Sequence, residues 1–265
     1  MVNNKPILCI DSGIGGLTYC FHFHKTNPQE PLLYIADRDN FPYGSRSKDS
    51  VQQIILKLVR SAVAQYDPKI IVLACNTASV SALNQIRAAF PSIPIVGTVP
   101  AIKPAVLASR TNTVAVLGTA LTVRDSSDSA CAQRYNPSAQ LIGIKAPELV
   151  NFIEYDLFHA TEAEKEAIVQ PFIAQARDLH ADSLVLGCTH FVLLKEVFVT
   201  AGKPDITVYD SVAGVSRRIA EVVDSVGRAT VARRPQLLVT GTAPIEPRWH
   251  TYAALCSGDL TMYAY

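Results

Sequence analysis

The sequence predicts an α/β fold with mostly parallel sheets, because short apolar runs alternate with segments of helical periodicity. Eight runs have the length and composition of buried strands: 7–10, 32–36, 70–74, 113–117, 141–144, 184–187, 206–209 and 237–240. Between the second and third runs, apolar side chains recur at intervals of three and four from Val51 to Tyr66, which predicts a helix with one buried face. Thr161 and Glu164 have the spacing of a capping box and predict the start of another helix.

Four of these strands end in small polar residues, and the four ends form two matching pairs. The first pair leads into Asp11-Ser12-Gly13 and Cys75-Asn76-Thr77, and the second into Gly118-Thr119 and Cys188-Thr189-His190. The two strand ends of each pair are separated by similar lengths of chain, which indicates one α/β unit used twice. Because ligands bind beyond the carboxyl ends of parallel strands, two such units facing each other would enclose a cleft. The expected boundary lies near Gly97 to Pro100, because Pro94, Pro100 and Pro104 crowd that region and restrict the backbone.

The amino-acid composition limits which classes of partner the protein is expected to bind. The 265 residues are 49% apolar, enough to fill one large core or two small ones. Lys and Arg number 24 against 23 Asp and Glu, so no broad electrostatic field draws the chain to nucleic acid or to an acidic membrane. The sequence shows neither a secretory leader nor a run of about 20 apolar residues. We therefore expect a cytoplasmic protein with a small-molecule substrate.

Two of the six cysteines stand in a context suited to catalysis. The cysteines are Cys9, Cys20, Cys75, Cys131, Cys188 and Cys256, and no C-x-x-C pair suggests zinc or a redox dithiol. Only Cys75 and Cys188 each follow an apolar strand and precede a helical segment, where a helix N-terminus stabilises a thiolate. Asp11, His190 and the hydroxyls of Ser12, Thr77 and Thr189 are available to assist them.

Two loops are candidates for ligand contact. The glycine-rich turn after Asp11 lacks the G-x-G-x-x-G spacing and begins with an acidic residue, so it fits phosphate poorly. Asp11 and Ser12 in that turn favour contact with another ligand. In the second loop, Tyr43 is a polar-tipped aromatic suited to closing over a small ligand, whereas Asp37 and Arg38 could equally form a solvated surface pair.

Taken together, these segments closely resemble the glutamate racemase family of the aspartate/glutamate racemase superfamily. The matching segments, in family order, are Ile10-Asp11-Ser12-Gly13-Ile14-Gly15-Gly16, Tyr34-Ile35-Ala36-Asp37, Phe41-Pro42-Tyr43-Gly44, Ala74-Cys75-Asn76-Thr77-Ala78-Ser79, Val99-Pro100-Ala101-Ile102-Lys103-Pro104-Ala105 and Leu186-Gly187-Cys188-Thr189-His190. The resemblance implies two similar α/β domains, 1–97 plus 211–265 and 98–210, with the active site in the cleft between them. It implies interconversion of L- and D-glutamate for peptidoglycan, without pyridoxal phosphate, other cofactor or metal, and a homodimer.

The resemblance also implies a role for each site residue. Cys188 would take the α-proton of L-glutamate while Cys75 delivers one to the other face, with Asp11 assisting Cys75 and His190 assisting Cys188. Inversion of a stereocentre needs removal on one face and return on the other, which explains the pair. Glu154 would support His190. The residues implied to surround the substrate are Asp11, Ser12, Tyr43, Gly44, Asn76, Thr77, Thr119, Thr122, Thr189 and His190.

The chain departs from the family pattern at three places. Phe191-Val192 replaces the usual Tyr-Pro after His190, the segment 124–127 has an unusual continuation, and Ala146 and Asn151 stand where Cys and Pro are usual. Three alternatives stay open at this point. They are a racemase of aspartate or another amino acid, a non-catalytic two-lobed amino-acid-binding protein, and a hydrolase with Cys188 as nucleophile and His190 as base, which leaves Cys75 unexplained.

Overall fold

The computed structural model describes residues 2–124, 126–255 and 257–265, and it divides the chain into two compact units. Unit 1 comprises the residues up to Thr98 together with Val212–Tyr265, and unit 2 comprises Val99–Ser211. Each unit contains a parallel sheet with helices, so the predicted α/β class is confirmed. Asp125 and Cys256, which belong to features named above, lie outside the described residues.

Ten strands and ten α-helices follow one another along the described chain. The strands are β1 (Ile7–Asp11), β2 (Leu32–Ala36), β3 (Ile70–Leu73), β4 (Ile95–Gly97), β5 (Thr113–Gly118), β6 (Gln140–Lys145), β7 (Ser183–Leu186), β8 (Thr207–Tyr209), β9 (Gln236–Thr240) and β10 (Asp259–Tyr263). The helices are α1 (Leu17–Thr26), α2 (Lys48–Tyr66), α3 (Asn76–Ala89), α4 (Ile102–Ala108), α5 (Ser126–Tyr135), α6 (Pro147–Asn151), α7 (Glu162–Asp178), α8 (Lys195–Gly202), α9 (Val212–Val226) and α10 (Pro247–Leu255).

The sheet of unit 1 has the order β10-β9-β2-β1-β3-β4, and each pair of neighbours is parallel. Side chains alternate between its two faces. Leu8, Ile35 and Ile71 belong to the face that forms one core with α2 and α3. Helix α1 packs against α9, and α9 also contacts β3 and β4. Because β1, β2 and β3 are buried along their whole length, ligand-binding residues are expected in the loops that follow their carboxyl ends.

The sheet of unit 2 has the order β6-β5-β7-β8, again with every pairing parallel. In chain order its strands lie second, first, third and fourth, which is the arrangement of β2-β1-β3-β4 in unit 1. The two units are therefore similar, as the paired strand ends predicted. Strand β5 corresponds to β1, and β7 corresponds to β3.

A buried ion pair in the first segment of unit 1 is hydrogen-bonded to the second segment. Lys69 Nζ lies 2.6 Å from Glu30 Oε2, with side-chain exposures of 1% and 2%. The same ammonium donates to the carbonyls of Asn3 at 2.8 Å and Gly227 at 2.9 Å, while Glu30 Oε1 accepts from the Ala229 amide at 3.0 Å. One pair of opposite charges thus fixes the chain before β1 to the chain after α9.

Local signals account for several helix boundaries. The capping box predicted at Thr161 is present, with the Thr161 hydroxyl accepting from the Glu164 amide and the Glu164 carboxylate accepting from the Thr161 amide. Helix α2 begins after Ser47, whose side chain accepts from the Ser50 amide, and ends at Asp67 with a left-handed φ of 46°. Of the helices in the described residues, none has the length and apolar content to cross a membrane.

Candidate active site

In unit 1, the turn after β1 is packed against the end of β3. Asp11 is fully buried, and its Oδ1 accepts from the Gly13 amide at 2.9 Å and from Ser12 Oγ at 3.4 Å. An ideal Cβ placed on Gly16 would lie 2.7 Å from the Ala74 carbonyl oxygen and 3.0 Å from Asp11 Oδ2. Glycine at this position therefore permits the Asp11 carboxylate to lie beside the residue that precedes Cys75.

Cys75 is the N-cap residue of α3, with extended backbone angles of φ −131° and ψ 126°. It is 7% exposed and is not in a disulfide. The amide groups of the first helical turn and the helix dipole favour negative charge at this position, typically by 0.3–1 kcal/mol. The start of α3 therefore favours negative charge at the position that follows β3.

Asn76, next to Cys75, carries unused hydrogen-bonding capacity. It is 2% exposed, and neither Nδ2 nor Oδ1 has a partner within the described part of the chain. Leaving a buried polar group unpaired costs about 1–3 kcal/mol per group. A donor and an acceptor held at this cost beside a thiol suit the carboxylate and ammonium groups of an amino acid.

Tyr43 and Asp37, the two residues of interest in the second loop, are both buried. Tyr43 is fully buried, and its hydroxyl donates to Asp37 Oδ2 at 2.6 Å. Asp37 is itself fully buried and is not part of a solvated pair with Arg38. Burial first, and then the charge of Asp37, raises the pKa of Tyr43 well above its usual value, with a smaller contribution from Cys75. Tyr43 is therefore a neutral donor at physiological pH.

In unit 2, a thiol and an imidazole lie at the corresponding strand end, and a carboxylate from another segment contacts the imidazole. Cys188 is 7% exposed, and its Sγ lies 3.9 Å from His190 Nδ1. His190 Nε2 lies 3.0 Å from Glu154 Oε2 on the π-helical turn Phe152–Asp156, and both residues are 3% exposed. When Nε2–H donates a hydrogen bond to Glu154, the lone pair on Nδ1 faces the thiol. The arrangement can deprotonate Cys188 or stabilise its thiolate.

A glycine permits the close approach of β7 to β5 immediately before this thiol. The Gly187 amide donates to the Leu117 carbonyl at 2.7 Å, and a Cβ on Gly187 would lie 2.9 Å from that oxygen. Thr119 and Thr122, after β5, have hydroxyl oxygens 3.1 Å apart, and both residues are buried. The Thr122 methyl lies 3.6 Å from the same Cβ position, which places these hydroxyls beside the segment leading to Cys188.

A known protein family matches most of the chain. The model of the family described as Asp/Glu/Hydantoin racemase matches residues 20–218. This chain belongs to that family. It is 36% identical over 223 residues to a glutamate racemase of a Roseiflexus species, covering 84% of this chain and 81% of the relative. Identity to a glutamate racemase of Pseudomonas entomophila is also 36%, over 222 residues, covering 83% and 82%.

Solved structures of glutamate racemases are also similar to this chain. The Escherichia coli glutamate racemase, solved in complex with L-glutamate and the activator UDP-MurNAc-ala, has 27% identity and a TM-score of 0.83, with 98% of each chain covered. An isoform from Bacillus anthracis, at 24% identity and a TM-score of 0.80, shares the fold. The expectation of an isomerase of the glutamate racemase kind is confirmed.

The remaining residues expected at the site of this racemase are distributed between the two strand-end regions. Ser12, Thr77 and Thr189 are buried, and Gly44 is half-buried in the short 3-10 turn Tyr43–Ser45. Phe191, at the first departure from the family pattern, is fully buried in unit 2. Among the described residues, no group of three or more His, Cys, Asp or Glu side chains is arranged to hold a metal ion.

Proposed function

We propose that this racemase interconverts L- and D-glutamate by moving the α-proton between two thiols, with no cofactor. The observation that carries the proposal is the equivalent placement of two reduced, buried cysteines. Cys75 follows β3 and Cys188 follows β7, which occupy the same position in the shared strand order of the two units. A single base would serve proton removal on one face only, so a pair fits inversion.

The proposed steps balance in protons and in charge. The Cys188 thiolate takes the α-proton of L-glutamate, and the C–H electron pair stays on carbon as a carbanion. The Cys75 thiol then gives its proton to the opposite face, which yields D-glutamate, a Cys188 thiol and a Cys75 thiolate. Reaction of D-glutamate runs in reverse and restores the starting state.

Each thiol has a polar neighbour that supports its role. His190, oriented by Glu154 at 3.0 Å, accepts the Cys188 proton through Nδ1 and so generates the thiolate. We propose that Asp11 assists Cys75, in agreement with its packing against Ala74. The carbanion is stabilised by hydrogen bonds from groups held in place before reaction, for which the unpaired amide of Asn76 is suited.

Glutamate as substrate is supported by the glutamate racemases among the relatives, at 36% identity over more than four-fifths of this chain. The wider roles remain those that the family resemblance implies. We propose that the D-glutamate supplies peptidoglycan synthesis, that the enzyme acts in the cytoplasm and that it forms a homodimer.

The decisive test follows the α-position in heavy water. Purified protein is incubated in D2O with each enantiomer of glutamate, and in parallel with each enantiomer of aspartate, without added cofactor. Circular dichroism measures inversion, and NMR measures α-deuterium. Both enantiomers of glutamate should invert and acquire deuterium. Absence of both inversion and exchange would sink the proposal, and inversion of aspartate in place of glutamate would reassign the substrate.

Cysteine variants test the two-thiol assignment. Cys75→Ser and Cys188→Ser should each lower inversion by several orders of magnitude, because a hydroxyl is a far weaker acid than a thiol and forms no oxyanion at neutral pH. Cys131→Ser, a half-buried cysteine on α5, is the matched control and should retain activity. Full racemisation by either of the first two variants would contradict the two-thiol mechanism.

A further inference from the structure

The buried carboxylate of Asp37 is held by four uncharged side-chain donors. Tyr43 donates to Oδ2 at 2.6 Å, Thr240 and Tyr265 donate to Oδ1 at 2.9 and 3.1 Å, and Asn40 donates to both oxygens at 3.1 Å. Thr240 lies 203 positions along the chain from Asp37, and Tyr265 lies 228 positions away. The carboxylate therefore joins the loop after β2 to the ends of β9 and β10.

One side of this cluster adjoins the Cys75 strand end. Tyr43 and Cys75 belong to the same buried core of unit 1, together with Ala78 on α3. The Asp37 amide also donates to the Asp11 carbonyl at 2.8 Å, so the loop is anchored to the end of β1. A 2.6 Å hydrogen bond thus links the Asp37 carboxylate to a phenol that is packed in the same core as Cys75.

On the other side, the ring of Tyr265 is fixed independently of its hydroxyl. The ring stacks on Tyr263 with centroids 5.9 Å apart and an interplanar angle of 13°. Lys57 Nζ lies 5.0 Å from the centroid of the Tyr265 ring. The hydroxyl donates to Asp37 and accepts from Asn40 Nδ2 at 2.9 Å. Replacement by Phe consequently removes these two hydrogen bonds and leaves the stacking surface in place.

We propose that Tyr265 is a positioning residue for the Cys75 half of the reaction. Its hydroxyl orients the Asp37 carboxylate, and Asp37 in turn holds Tyr43 and its loop against the core that contains Cys75. The inference rests on the proposed two-thiol function. It assigns to the segment after β10 a part in the reaction that neither the motifs nor the expected site residues include.

Tyr265→Phe tests the inference, with Tyr263→Phe as its matched control. The Tyr263 hydroxyl donates to Ser61 Oγ at 3.0 Å, so the control removes a comparable hydrogen bond from the same stacked pair. Because small misplacements of reacting groups slow proton transfer, Tyr265→Phe should lower kcat/KM by about tenfold. The control should stay within about twofold of wild type, since its hydrogen bond does not reach Asp37.

Isotope effects separate positioning from a loss of stability. Cys75 takes the α-proton only from D-glutamate, so a misplaced Cys75 half slows that transfer relative to the one at Cys188. In Tyr265→Phe, the deuterium isotope effect on kcat/KM should therefore increase with α-deuterated D-glutamate and decrease with α-deuterated L-glutamate. Partial unfolding would lower the active fraction and leave both isotope effects unchanged.

The outcomes distinguish this inference from the proposed function. A wild-type protein that neither inverts nor exchanges glutamate refutes both. An active wild type, with Tyr265→Phe equal to Tyr263→Phe or with unchanged isotope effects, refutes the inference alone. If Tyr265→Phe does not fold, Asn40→Ala is the second variant, because it loosens the same carboxylate by removing both Asn40 hydrogen bonds to Asp37 and the one to the Tyr265 hydroxyl. Asn40→Ala must then show the same opposed change in isotope effects.

Discussion

Replacing Glu154 by Gln tests the thiol–imidazole–carboxylate arrangement of unit 2. The substitution keeps the size of the side chain and removes the negative charge that lies 3.0 Å from His190 Nε2. Without that charge, the imidazolium formed on deprotonation of Cys188 loses its counter-ion. A Gln amide can also donate to Nε2, which stabilises the tautomer with the proton on Nδ1, facing the sulfur. Both effects slow thiolate formation.

The expected magnitude follows from burial. The side chains of His190 and Glu154 are 3% and 2% exposed, so solvent screens their interaction little. A hydrogen bond to a charged group contributes about 1.5–3 kcal/mol, and about 1.36 kcal/mol corresponds to a tenfold change in rate. Glu154→Gln should therefore lower kcat/KM by about 10- to 150-fold. Since the equilibrium between the enantiomers is unchanged, the loss must be equal in the two directions.

The assay is circular dichroism, starting from each enantiomer in turn, with urea unfolding to show that the fold is retained. The matched control is Glu162→Gln on α7, whose carboxylate pairs with Lys165 at 2.7 Å and has a side-chain exposure of 78%. The control should leave kcat/KM unchanged. Wild-type activity in Glu154→Gln would refute the role assigned to the carboxylate.

Three further predictions concern stability and pH. In urea unfolding, Lys69→Met should lower the free energy of unfolding by about 3–5 kcal/mol, because it leaves the buried Glu30 carboxylate without its counter-ion. The control Lys5→Met removes an exposed ion pair and should lower that free energy by less than about 1 kcal/mol. Gly187→Ala should cost about 1–3 kcal/mol through its backbone clash, while Gly214→Ala, with open space around it, should stabilise α9 by up to about 1 kcal/mol. Burial raises the pKa of Tyr43, so the stability contributed by its phenol is complete below about pH 10 and is lost at higher pH. The destabilisation caused by Tyr43→Phe should therefore shrink above about pH 10. A free-energy difference between wild type and Tyr43→Phe that does not change with pH would contradict this assignment.

Local pattern was sufficient to predict the fold class, eight strands and the repeated strand ends. Two strands were missed for identifiable reasons. Ile95–Gly97 is a three-residue strand directly after Pro94 and was interpreted as part of a proline-rich boundary. Asp259–Tyr263 is an edge strand with mostly exposed side chains, so it lacks the apolar run of a buried strand. Both depend on pairing with a neighbour rather than on their own composition.

Long-range pairing also limited the prediction of the site. Asp37 and Arg38 are adjacent in sequence, yet Asp37 is buried by Thr240 and Tyr265 from the far end of the chain. No local signal indicates such partners. The unpaired amide of Asn76 likewise becomes evident only when its surroundings are known. The strand-end cysteines, in contrast, were identifiable because parallel strands place such residues at one edge of a sheet.

The strand order of unit 1 implies an order of events during synthesis. Unit 2 is one continuous stretch, so all of its strands emerge before β9 does. Until then, the edge of β2 that β9 will cover, along Leu33 to Ala36, has no partner from its own sheet. Unpaired edges of apolar strands are prone to join other chains. Nascent or truncated chains lacking β9 should consequently aggregate, even though unit 2 has already been synthesised in full.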